Sequence, residues 1–142
     1  MELKTPRINS RDNATSSSEE RSSSNAVTQS WGQLMLRAIN DFDSRVEKEN
    51  RIKDVLICNT IHDSVYGICK NDAETIKWVN DNLINAMEWQ EHPKLQSDIK
   101  LGAELDIGNS WDSLITIKNN VSLEVIQETL DVINKPKQKE EN

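Results

Sequence analysis

At 142 residues the chain has room for one modest domain. Its hydrophobic share of 35% is below the roughly 45–50% of ordinary globular chains, so any core is small. A formal net charge of -7 excludes nucleic-acid binding by bulk attraction alone, while leaving room for a few placed side chains.

No run approaches the roughly 20 apolar residues of a membrane span. Residues 1–10 lack the apolar core of a secretory signal, so a cytoplasmic chain with no membrane partner is expected. Cys58 and Cys69 lack metal-type spacing. Buried, reduced thiols are the expectation, with a disulfide across the intervening segment as the alternative.

Residues 1–24 are polar and carry Ser16-Ser17-Ser18 and Ser22-Ser23-Ser24. This composition predicts a flexible arm, with a short helix as the alternative. Asn25 can cap a helix. Val27, Trp31, Leu34, Met35, Ala38, Ile39, Phe42 and Val46 then recur at spacings of three and four, which predicts a helix over 26–48. Gly32 weakens that helix by about 1 kcal/mol relative to alanine, which close packing or a close ligand would explain. Residues 50–53 read as a polar turn.

Two apolar stretches, 55–61 and 65–68, meet at His62-Asp63-Ser64 and predict a β-hairpin with a polar tip. A carboxylate and an imidazole on such a turn can hold a metal or a phosphate. Asp72 caps a predicted helix over 73–89, with Ile76, Val79, Leu83, Ile84 and Met87 on one face. Residues 90–98, containing His92-Pro93, read as a loop. Leu101, Ala103, Leu105 and Ile107 alternate with polar residues as in a half-buried strand, ended by Gly108-Asn109-Ser110 and followed by Trp111. Residues 114–117 suit a short strand. Ser122 can cap a last helix striped by Leu123, Ile126, Leu130 and Ile133, stopped by Pro136 ahead of a loose tail.

The fold class expected is α+β, with a small antiparallel sheet of the hairpin plus a later strand, backed by helices. Three regions are expected: residues 1–24 as the arm, 25–117 as the body with the hairpin, and 118–142 as the C-terminal helix and tail.

Four segments in order resemble the carboxy-terminal part of a family A DNA polymerase, the family of bacterial polymerase I and many phage replicative enzymes. Ile8-Asn9-Ser10-Arg11-Asp12-Asn13-Ala14 resembles the polar stretch after the fingers. Arg21, Asn25 and Gln29, running into Trp31-Gly32-Gln33-Leu34-Met35, are similar to the family's arginine, asparagine and glutamine at four-residue intervals. Ile61-His62-Asp63 stands at the place of motif C. Leu105-Asp106-Ile107-Gly108-Asn109-Ser110-Trp111 is similar to the family's final strand with its Gly and Trp. The resemblance covers about residues 5–114.

The resemblance implies a palm fragment in a magnesium-dependent, two-metal nucleotidyl transfer. Its partners would be primer-template DNA, dNTP and the remaining polymerase: fingers, thumb and upstream palm. Asp63 would be the catalytic metal ligand, paired with an aspartate from a motif A not found in these residues. Hard divalent cations take carboxylate oxygens, which suits that role. His62 would contact the primer backbone. Arg21, Asn25 and Gln29 would contact primer or template at the terminal pair, where minor-groove acceptors are common to every correct pair. They share a face if the helix extends back through the serines. The compartment implied is the cytoplasm of a bacterial or phage-infected cell.

The match has departures. Ser64 stands where bacterial members carry glutamate and supplies no second charge. The serine-rich stretch replaces an alanine- and arginine-rich helix. A separately encoded or truncated palm portion, inactive alone, is expected; Met1 placed just after the fingers suits a split gene.

Plainer readings stand beside these. Asp63 can be an ordinary turn residue and His62 a structural histidine. Asn25 and Gln29 can be a cap and a solvated face. Trp31, Trp78, Trp89 and Trp111 suit a core or an interface. Two other functions compete. A non-catalytic protein-interaction module fits the acidic charge and surplus tryptophan. A metal-dependent nuclease needs more carboxylates, and only Asp72 and Glu74 lie near Asp63 in sequence.

Overall fold

The computed structural model describes residues 13–89 and 102–135. The expected 90–98 loop, the start of the Ile8 segment and the 136–142 tail lie outside the described residues. Two compact units divide the chain, Met1–Arg37 and Ala38–Asn142.

The first helix, α1, runs over Asn13–Lys48. It starts well before the predicted 26, so residues 13–24 are helical and Asn25 lies inside the helix. Serine disfavours a helix interior only mildly, so the run can be carried as part of a longer helix. In the first unit the Thr28 hydroxyl donates back to the Ser24 carbonyl at 3.0 Å.

The second unit begins with the last turns of α1. Asn50 has φ 56. Asn50 N–H donates to Glu47 O at 3.0 Å and Arg51 N–H to Val46 O at 2.8 Å. This pairing ends a helix on a left-handed residue and satisfies its last carbonyls. Arg51 then lies 4.8 Å from the centroid of the Trp78 ring, and the Trp78 indole N–H donates to Glu49 Oε2 at 2.7 Å. The polar turn is thereby fastened to the helix α2 (Ala73–Met87).

Asp72 caps α2 as the sequence predicts, its Oδ1 accepting the Thr75 N–H at 2.8 Å. Burial works to raise the Asp72 carboxyl, but the Thr75 N–H, the Thr75 hydroxyl and the Lys70 ammonium outweigh it and hold it below the ordinary value. Arg45 ties α1 to α2, donating to Asp41 Oδ2 at 2.9 Å, Asn85 Oδ1 at 3.0 Å and Asn82 Oδ1 at 3.3 Å.

Four strands form two antiparallel pairs. β1 (Val55–Ile61) pairs with β2 (Ser64–Cys69), and β3 (Leu105–Ile107) with β4 (Ile115–Ile117). The α+β class holds. The later strand pairs with the 115–117 segment in a second small sheet, since Leu105↔Ile117 and Ile107↔Ile115 bring apolar residues opposite one another. The last helix, α3 (Leu123–Ile133), follows. Ser122 stands at its N-cap without a side-chain cap bond; its hydroxyl instead holds the Glu124 carboxyl below the ordinary value.

The apolar periodicities converge on two clusters. Ala38, Phe42 and Val46 of α1 meet Val55, Val79 and Ala86. Ala73 and Ile76 meet Ile117, Ile126 and Leu130. Cys69 and Leu105 touch both clusters, so strand residues bridge them. Among the described residues, no helix is long and apolar enough to cross a membrane.

Candidate functional site

The hairpin places the candidate residues. Ile61↔Ser64, Thr60↔Val65 and Asn59↔Tyr66 pair next to the turn, leaving His62 and Asp63 as its two central residues. A two-residue connection needs positive φ to match strand twist. His62 supplies it at φ 54. A side chain there instead of glycine costs about 1–2 kcal/mol. Both His62 and Asp63 are exposed, as is Ser64, so the carboxylate stands free on a backbone defined on both sides.

Behind the turn, the register shifts between Ile57 and Asn59, making a bulge at Cys58. A bulge adds a residue to one strand and strengthens its twist. Gly67 sits opposite this irregularity. A Cβ there would lie 2.9 Å from the Leu56 carbonyl oxygen. The register also sets the thiols apart: Cys69 pairs with Val55 while Cys58 lies in the bulge. Both thiols are free, with Cys58 exposed and Cys69 half-buried. Burial, then the Asp72 charge, pushes the Cys69 thiol up.

Arg21, Asn25 and Gln29 form the second set. All three are exposed on α1 in the first unit, and their four-residue spacing puts them on one helical face. The continuous helix through the serines meets the condition that this shared face required. Among the described residues, Gly32 on the same helix has nothing within 4 Å of the place a Cβ would occupy, so packing against them does not account for it.

Asp63 offers a hard cation one carboxylate, and Ser64 only a neutral hydroxyl. Six or more oxygens surround such an ion, so these residues fit as one corner of a site. Among the described residues, no cluster of three His, Cys, Asp or Glu side chains could hold a metal.

One neighbour of the hairpin escapes a local reading of the sequence. The Trp111 ring, from the loop between β3 and β4, lies 4.8 Å from the Tyr66 ring of β2, tilted by 44°. Trp111 is 72% exposed, unlike Trp78, which packs at 5.5 Å on Phe42. The only sequence signal for this contact was a tryptophan after Gly108-Asn109-Ser110.

No family model, curated protein or solved structure matches this chain.

Proposed function

We propose that these residues are a carboxy-terminal palm portion of a DNA-directed DNA polymerase of family A, acting within a complete polymerase assembly. The observation that carries the reading is the exposed Asp63 on a two-residue hairpin turn beside His62. It is preceded in the chain by a helix with Arg21, Asn25 and Gln29 on one exposed face. Both features are what the order of motifs requires.

In this reading Asp63 supplies one oxygen donor to magnesium, and the paired carboxylate comes from outside these residues. The cations, when bound, neutralise charge developing on the transferring phosphoryl group. His62 holds the primer backbone beside the carboxylate. Asn25 and Gln29 donate amide hydrogens to minor-groove acceptors of the terminal pair, and Arg21 approaches the primer strand. Placed donors of this kind bind DNA despite a net charge of -7, with the compensating positive charge carried by the rest of the enzyme.

Co-expression of the chain with the polypeptide bearing fingers and thumb tests this. A stable complex with magnesium-dependent primer extension is expected. The absence of both a complex and extension overturns the reading.

A protein-interaction module without catalysis is the second reading, favoured by the exposed Leu56, Ile61 and Ile68 on the hairpin. Its sign is a monodisperse, stable chain that binds a protein partner with no dependence on His62 or Asp63.

A further inference from the structure

The hairpin has one covered face and one open face. Val55, Ile57 and Cys69 belong to or pack against the core. Strand alternation puts Ser64, Tyr66 and Ile68 on the opposite face, with Leu56 across from Ile68. On that face Leu56 is 59% and Ile68 66% exposed. Tyr66 is only half-buried, with the Trp111 ring laid against it.

Trp111 is carried by a loop whose own bonds define its shape. Gly108 lies where a Cβ would stand 2.5 Å from the Ser113 carbonyl oxygen. Ser113 N–H donates to Ser110 O at 3.2 Å. The Ser110 and Ser113 hydroxyls bond each other at 2.7 Å, and the Ser110 hydroxyl also donates to Asp112. Asn109 Nδ2 donates to the Ile133 carbonyl at 3.2 Å, anchoring the loop to the end of α3. A ring on so constrained a loop is a fixed buttress. Its contact, Tyr66, is on the strand that leaves the His62-Asp63 turn.

We infer that Trp111 is a positioning residue for Asp63, acting through Tyr66 to hold the hairpin turn in one orientation. A tilted aromatic contact of this kind orders both rings. His62, Asp63 and Ser64 are exposed, and the first turn residue is in a left-handed conformation, so the orientation of the turn depends on how well β2 is held. The consequence for catalysis rests on the polymerase reading; the mechanical coupling does not.

The test uses the full 142-residue chain in two arms. In the first, NMR order parameters are compared for the unmodified chain, Trp111→Ala and Trp111→Phe. Order at His62, Asp63 and Ser64 falls in Trp111→Ala and returns in Trp111→Phe, while α2 and α3 keep theirs. Unchanged order at the turn overturns the inference. So does equal loosening or unfolding of the whole chain, which would make Trp111 a general stabiliser.

The second arm is primer extension in the assembled enzyme. Trp111→Ala lowers kcat by about tenfold to a hundredfold, the scale of a misplacement of about 1 Å. Primer affinity falls as well, because His62 shares the loosened turn, and Trp111→Phe recovers both. A change in affinity alone overturns the positioning role. If the unmodified assembly extends no primer, the polymerase reading fails, and the first arm still decides the coupling.

Discussion

Gly67 and the Leu56 carbonyl face each other across the hairpin so closely that a Cβ would come within 2.9 Å of the oxygen. The obstacle is backbone, which cannot swing aside as a flexible side chain would. Gly67→Ala therefore forces the bulged strand to shift and lowers stability by about 1–3 kcal/mol, the usual range for strain of this kind. Gly32 is the control, with nothing within 4 Å. Gly32→Ala removes a helix-interior glycine and raises stability by about 0.5–1 kcal/mol. Urea denaturation of both variants checks the opposite signs. Loss of primer extension in a stabilised Gly32→Ala enzyme would mark that position as one where DNA passes close to the helix.

Asn80 is 1% exposed, and among the described residues neither polar atom of its side chain has a hydrogen-bond partner. It lies between Ile76 and Ile84 on the buried stripe of α2. An unpaired buried amide costs about 1–3 kcal/mol. Asn80→Leu is expected to raise the urea midpoint by a stability gain of that size. A midpoint that falls would show that the amide is satisfied in solution.

The acid limb of stability contains an Asp72 contribution. Its folded pKa lies below the ordinary value of 3.8, so the unfolded chain binds the proton first as pH falls. The stabilisation is present above about pH 4 and is lost as pH drops through the lower folded pKa. Asp72→Ala costs about 1 kcal/mol at neutral pH through the lost cap, and less near pH 2. Thermal unfolding at the two pH values reads the difference.

His62 supplies the positive φ of the turn at a steric cost that glycine does not incur. His62→Gly is expected to leave hairpin stability unchanged or up to about 1 kcal/mol higher. In the proposed polymerase assembly it is expected to weaken primer binding, because the imidazole assigned to the primer backbone is gone. A variant that loses stability and keeps primer affinity would assign His62 to the fold alone.

Local chemistry made much of this legible. Asp72 followed by an apolar stripe announced α2, and two apolar runs around a polar tip announced the hairpin with His62 and Asp63 at its turn. The four-residue spacing of Arg21, Asn25 and Gln29 announced a common face, conditional on a helix through the serines. That helix was hidden, because serine runs carry no apolar stripe. The Cys58 bulge was hidden too, since the unbroken apolar start of β1 has no alternation to interrupt. The β3–β4 pairing and the Trp111–Tyr66 contact depend on long-range approach between short segments, which spacing does not encode.

The proposed role of Asp63 as ligand to a catalytic divalent cation is read most directly by primer extension in an assembly carrying Asp63→Ala. Asp63 is exposed on the turn and makes no buried contact, so the variant folds and assembles as the unmodified chain does. Loss of one carboxylate ligand removes several kcal/mol of charge stabilisation. Extension is expected to fall by about a thousandfold or more, with complex formation and primer affinity retained. Extension within about tenfold of the unmodified assembly would rule out Asp63 as the metal ligand.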